Sequence, residues 1–186
     1  MKALVALGLL SSVLAACDHE ADKSAQRRSE AVASASQAMS GPSLLSRERL
    51  LPALAELRHK AGGKLLRLEI RPSELLLQSE DVSSPGSVVE VRFRDGKAGE
   101  PEQATLRGKG QLADNLFDLS EVKLDALPEL AREAVRRVDA ENGSVESILV
   151  RRALPESDDV RVRVYVSSPR QSGYIDADRT GQLLSL

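Results

Sequence analysis

The chain has 186 residues, enough for one ordinary domain or for two small halves that share a core. Lys and Arg number 26 against 28 Asp and Glu, and only two Tyr and two Phe are aromatic, which argues against a nucleic-acid-binding protein. Cys17 is the sole cysteine, so no disulfide can form within the chain.

The first sixteen residues have the pattern of a bacterial export signal. A short positive start, Met1-Lys2, precedes an apolar run from Ala3 to Val13. That run is too short for a bilayer core of about 30 Å, which a helix crosses with roughly 20 residues. The tetrapeptide Leu14-Ala15-Ala16-Cys17 then resembles the lipobox of bacterial lipoproteins. The resemblance implies that residues 1–16 are removed and that Cys17 carries acyl chains, palmitate included, at the new N-terminus.

Acyl chains on Cys17 predict a protein that is anchored to a membrane and does not span it. Each buried CH₂ group contributes about 0.8 kcal/mol, so two or three chains hold a folded domain firmly at a bilayer surface. We therefore expect a cell-envelope protein on the periplasmic face of the inner or the outer membrane. Residues 17–42 are Ala, Ser, Gln and charged residues with almost no large apolar side chain, which predicts a flexible, lipidated tether.

Residues 43–123 are predicted to form one helix followed by four antiparallel strands. Leucines recur at helical spacing before Gly62-Gly63, and Pro52 is acceptable there if it lies in the first turn of the helix. Strands are expected at 64–70, 73–78, 88–94 and 103–107. Asp95-Gly96 after the third strand is typical of a hairpin turn.

Residues 124–186 repeat this order of elements. The segment Leu127-Pro128-Glu129-Leu130-Ala131 echoes Leu51-Pro52-Ala53-Leu54-Ala55, and its helix is expected to continue to Asn142-Gly143. Strands are predicted at 145–152, 160–167, 173–176 and 182–186. Because a sheet with one apolar face needs a cover, we predict an α+β fold of two similar halves, each α-β-β-β-β, with helices packed across the sheet.

Several turn motifs of the second half carry a family resemblance. They are the helix start Leu127-Pro128, the exit at Asn142-Gly143, and the ending Tyr174-Ile175-Asp176-Ala177-Asp178 with Thr180-Gly181. Through them, residues 124–186 resemble the PepSY-type module and, more loosely, the repeats of secreted β-lactamase inhibitor proteins. The resemblance implies a small extracytoplasmic binding or inhibitory module that is not itself an enzyme.

The sequence offers little sign of catalysis. It lacks Gly-x-Ser-x-Gly, His-Glu-x-x-His and a glycine-rich phosphate loop. The segment from Asp176 to Gly181 begins like a calcium loop, but Arg179 within it and the missing twelfth-position Glu favour a plain hairpin turn. We therefore predict no catalytic residues, no metal and no cofactor.

Arginines occupy strand positions opposite the apolar faces, and Arg92, Arg94, Arg161 and Arg163 are the candidate binding residues. If the strands share one sheet, these side chains form a stripe that could dock an acidic protein, an anionic glycan or a lipid headgroup. The alternative is an ordinary solvated face, because outward strand positions are polar in any sheet. Glutamates also lie among the arginines to pair with them.

The functional prediction is a membrane-anchored, non-catalytic module that interacts with or inhibits an envelope protein. One alternative is an envelope enzyme or enzyme accessory that acts on peptidoglycan or peptides with carboxylates such as Asp158 and Asp159. Another is a structural spacer without a ligand. A concave pocket that gathers carboxylates or a histidine favours the enzyme, whereas a flat polar sheet favours the binding module.

Overall fold

The computed structural model describes residues 43–106 and 110–184. The predicted signal peptide at 1–16, the predicted tether at 17–42 and the lipidation site Cys17 lie outside these residues. Within the described part of the chain, none of the helices combines the length and the apolar character needed to cross a bilayer.

The elements follow one another as a helix with strands, a connector, and a second helix with strands. The first group is α1 (Arg47–Ala61), β1 (Leu65–Ile70), β2 (Leu75–Glu80), β3 (Val88–Arg94), β4 (Lys97–Ala98) and β5 (Glu102–Ala104). The connector contains the short helix α2 (Leu112–Asn115) and two 3₁₀ turns, Leu119–Glu121 and Leu124–Ala126. The second group is α3 (Leu127–Asp139), β6 (Ser144–Arg152), β7 (Val160–Ser167) and β8 (Ser172–Asp178).

All eight strands belong to one antiparallel sheet. Its order is β4-β3-β2-β1-β6-β7-β8, and β5 also pairs with β3. The two groups of strands meet along β1 and β6, where Leu68 pairs with Val150 and Ile70 with Ile148. The sheet and its helices confirm the predicted α+β class, and the order of the elements is consistent with two similar halves joined side by side.

Both long helices pack on the same buried core. Helix α1 contacts β2, β3 and β4, and α3 contacts β6, β7 and β8. The burial of β7 alternates strictly, with Val160, Val162, Val164 and Val166 buried and the residues between them half-buried. Since successive strand residues point to opposite faces, the apolar set lies under the helices and the polar set lies on the other face.

Helix α1 begins earlier than the position of Pro52 suggested. It starts at Arg47, so Pro52 lies beyond the first turn, where its missing N–H removes one intrahelical hydrogen bond. Burial of Leu50, which is 0% exposed, favours the longer helix and offsets that loss. The predicted end is confirmed, since Gly62 has φ 63° and its N–H donates to the carbonyl of Arg58 at 3.0 Å.

The hairpin predicted after the third strand is present in the structure, whereas the last predicted strand is not. The hairpin at Asp95-Gly96 is confirmed, because both residues have positive φ, 53° and 80°, as a two-residue type I′ turn requires. The strand predicted at 182–186 is not formed up to Leu184, where the described chain has only an isolated bridge between Leu183 and Ala177. The N–H of Gln182 donates to the Asp178 carboxylate at 2.9 Å, and the segment is joined to β8 by two backbone hydrogen bonds, from Asp178 N–H to Gln182 O and from Leu184 N–H to Asp176 O.

The connector belongs to the core, although no element was predicted there. Phe117 is 1% exposed, and its backbone exchanges hydrogen bonds with Leu65 at 2.8 and 2.9 Å. Leu119 and Val122, in the following turns, are also buried. The connector therefore adds a short paired segment beside β1 and fills the space between the two helix-and-strand groups.

Candidate functional site

The candidate site is the face of the sheet that is turned away from α1 and α3, which we call the open face. Its residues are those that alternate with the buried core residues along the strands. They include Arg67, Glu69, Leu76, Gln78, Glu90, Arg92, Arg94, Leu149, Arg151, Arg161, Arg163, Tyr165, Tyr174 and Asp176. All four predicted binding arginines therefore lie on the same face.

The sheet order divides these four arginines into two separate pairs. Arg92 and Arg94 lie on β3, whereas Arg161 and Arg163 lie on β7, and β2, β1 and β6 separate the two strands. With about 4.8 Å between neighbouring strands, the pairs are roughly 19 Å apart. In the register row between Arg92 and Arg163 lie Leu76, Glu69 and Leu149. The two leucines are half-buried, and Glu69 between them is paired with Arg67 and Arg71, so the middle of the face combines apolar and charged groups.

Arg92 and Arg94 on β3 are held by the carboxylate of Glu74, which lies in the turn between β1 and β2. Glu74 Oε1 accepts from Arg92 Nη1 at 3.0 Å and from Arg94 Nη2 at 2.8 Å. Burial acts to raise the pKa of Glu74, but hydrogen bonds from Arg94 and Arg92 outweigh it and keep the pKa below its ordinary value. Arg92 also pairs with Glu90, so both arginines are fixed in direction.

The β7 arginines share a buried aspartate on β8. Arg163 Nε and Nη2 donate to the two carboxylate oxygens of Asp176 at 2.7 and 2.8 Å, while Arg161 Nη1 lies 4.0 Å from the same carboxylate. These hydrogen bonds raise the pKa of Arg163 above its ordinary value. The guanidinium carbon of Arg163 also lies 4.2 Å from the ring centroid of Tyr174, a cation–π contact.

Sequence reasoning had not assigned a role to Glu74, Asp176 or Tyr174 on this face. The signal for Asp176 was present in the hairpin between β7 and β8. Its register pairs Arg163 with Asp176 and Tyr165 with Tyr174. Opposite charges and aromatic rings in cross-strand positions are stabilising pairs, so a correct hairpin register would have found them.

The two carboxylates of the enzyme alternative lie in a loop, and one of them is held by a local hydrogen bond. Asp158 and Asp159 lie in the loop between β6 and β7, where Asp159 Oδ2 accepts from Ser157 Oγ at 2.7 Å. In the segment that begins like a calcium loop, Asp178 Oδ1 accepts from Thr180 N–H at 2.8 Å, which forms a turn. Among the described residues, no group of three or more His, Cys, Asp or Glu side chains is arranged to hold a metal ion.

The Arg163–Asp176 pair predicts a measurable loss of stability. Replacing Asp176 by Asn removes the charge from a carboxylate that is 8% exposed and leaves one acceptor for two guanidinium donors. Hydrogen bonds to charged groups contribute about 1.5–3 kcal/mol, so the free energy of unfolding should fall by about that amount. Urea denaturation measures it. The matched control is Asp114→Asn at an exposed position of α2, and a change below about 0.5 kcal/mol in Asp176→Asn would contradict the prediction.

Comparisons with known proteins give one structural likeness. No protein-family model matches the sequence, and no curated protein matches it. Among solved structures, that of a putative lipoprotein from Clostridium difficile 630 is similar, with a TM-score of 0.52 and 13% sequence identity. The likeness covers 78% of this chain and 97% of that one. At this identity it shows that the two proteins share a fold.

Proposed function

We propose that the chain is a lipid-anchored extracytoplasmic protein that binds or inhibits a protein of the cell envelope through its open face, without catalysing a reaction. The observation that carries this proposal is the open face itself. It is a broad sheet surface on which Glu74, Glu69 and Asp176 each hold arginines, with the half-buried Leu76 and Leu149 between these three places.

The proposal of an anchor rests on the N-terminal sequence. Leu14-Ala15-Ala16-Cys17 has the order of a lipobox, and the apolar run before it has the length of an export signal. The description of the Clostridium difficile protein as a lipoprotein agrees with this. We place the folded domain on the periplasmic face of the inner or the outer membrane.

The proposal of a binding surface rests on the side chains of the open face. Arg and Tyr are enriched at protein interfaces, and they contribute most where the docked partner excludes water from them. Because Arg163 and Arg92 are already held by carboxylates, they lose little conformational freedom when a partner docks. The resemblance of residues 124–186 to PepSY-type and inhibitor modules supports a non-catalytic role.

Site-specific photo-crosslinking of the full chain in bacterial cells tests this proposal. A photoreactive phenylalanine analogue at Tyr174, which is 42% exposed on the open face, should give a discrete covalent adduct with one envelope protein. The control position is Glu141, which is exposed just after α3. Equal adducts from both positions, or none from position 174, would contradict docking through the open face.

A further inference from the structure

A small, strongly basic pocket lies at the edge of the open face, next to the loop that joins β6 to β7. Its volume is about 110 Å³. Four arginines line it, Arg151, Arg152, Arg161 and Arg163, together with Glu156, Leu149 and Ala153.

Two of these arginines face each other in an unfavourable arrangement. Arg151 on β6 and Arg161 on β7 are direct cross-strand partners. Like charges directly opposite each other destabilise an antiparallel pair. An anion bound between the two guanidinium groups would offset their repulsion and would explain why both are arginine.

The carboxylates around the pocket do not balance its positive charge. Asp176 is shared by Arg163 and Arg161, and Glu156 is the other carboxylate at the pocket. Asp178, the cross-strand neighbour of Arg161, directs its carboxylate to its own turn.

The remaining two arginines differ in position, since Arg151 lies on the open face whereas Arg152 is the cross-strand partner of buried Val160 and lines the pocket from the end of β6. Arg152 is held by the carbonyl oxygens of Leu116 and Asp158, which are neutral acceptors. Among the ion pairs of the described residues, Arg151 and Arg152 take part in none. The pocket therefore carries more guanidinium than carboxylate charge.

We propose that this pocket binds a phosphate group, free in solution or as part of a phospholipid headgroup. The forked donors of arginine match two oxygens of a phosphate at once. The pocket volume of about 110 Å³ is smaller than the roughly 150 Å³ of a cavity that binds benzene, so it suits a small ligand such as one tetrahedral oxyanion. This inference is independent of the proposed protein partner, because it concerns the occupant of the pocket alone.

Thermal unfolding with inorganic phosphate tests the proposal, using the chain from residue 17 with Cys17→Ser so that no acyl group is present. Phosphate should raise the Tm saturably at constant ionic strength, because a ligand of the folded state stabilises it. In Arg151→Gln, phosphate should bind at least about tenfold more weakly. Without phosphate, that variant should unfold at a Tm no lower than the parent, since a like-charge pair is removed.

Two controls separate a built site from general charge effects. Arg94→Gln removes an arginine on the same face but outside the pocket, and it should leave the phosphate response unchanged. Chloride at equal ionic strength should have no effect. A response that chloride reproduces, or one that Arg151→Gln retains in full, would overturn the proposal.

Vesicles distinguish the two sources of the phosphate group. If a headgroup is the natural occupant, the same protein should sediment with vesicles that contain phosphatidic acid and not with pure phosphatidylcholine vesicles, and Arg151→Gln should abolish this. If free phosphate is the occupant, only the Tm response is expected. Absence of both responses would refute the site.

Discussion

Replacing Phe117 by Ala is expected to lower the free energy of unfolding by about 3–5 kcal/mol, the usual loss when a buried Phe becomes Ala. Phe117 is 1% exposed and is fixed by two backbone hydrogen bonds to Leu65. The truncated side chain would leave a cavity beside β1 that neither helix can fill. Because domains of this size are stable by about 5–15 kcal/mol, the variant should unfold at a clearly lower urea concentration.

The matched control for this prediction is Leu106→Ala. Leu106 is 45% exposed and precedes the same connector, so its truncation should change the free energy of unfolding by less than about 0.5 kcal/mol. Urea titration followed by far-ultraviolet circular dichroism measures both variants. A Phe117→Ala variant as stable as Leu106→Ala would show that the connector is not part of the core.

Replacing Cys17 by Ser is expected to abolish acylation and maturation. In the proposed reaction the first lipid is attached to the sulfur of Cys17, the only thiol of the chain, and a hydroxyl does not replace it. Intact mass should show the parent beginning at Cys17 with acyl groups added, and the variant retaining all 186 residues. Labelled palmitate should be incorporated into the parent alone.

Two further proteins complete the lipidation experiment. Ser24→Ala, which lies after the lipobox, should be processed and acylated like the parent. A chain from Asp18 behind a non-lipoprotein export signal should be released by osmotic shock, because the acyl chains that hold the domain at the membrane are missing. Label in the Cys17→Ser variant, or a parent that keeps Met1, would refute the lipid anchor.

The sequence predicted those elements whose signals are local. The alternation from Val160 to Val166 predicted β7, and Gly62 predicted the end of α1, because each depends on neighbours within a few residues. The sequence left the start of α1 open around Pro52, and packing of Leu50 decided for a start at Arg47 in spite of the internal proline. Local rules cannot weigh that burial, which depends on the whole core.

Contacts between distant parts of the chain could not be predicted in the same way. Nothing in the local sequence of Phe117 shows that it pairs with Leu65, and nothing near Leu68 shows that it lies beside Val150. The outward direction of Arg92 followed from alternation, but its separation from Arg163 by three strands required the order of the sheet. Alternation thus predicted the face on which the four arginines lie but not their ion-pair partners, and their role in binding stays a prediction.

The ladder between β1 and β6 has a consequence for how the domain comes apart. The described residues 43–106 and 110–184 belong to one compact unit, and the two groups of strands share hydrogen bonds and core residues across that ladder. Separating the two groups would leave β1 and β6 with unpaired backbone N–H and C=O groups, and it would expose the leucine, isoleucine and valine side chains that meet at this ladder. We therefore expect the N-terminal and C-terminal groups of strands to unfold in a single cooperative transition, and neither group to be cleaved by a protease while the other stays folded.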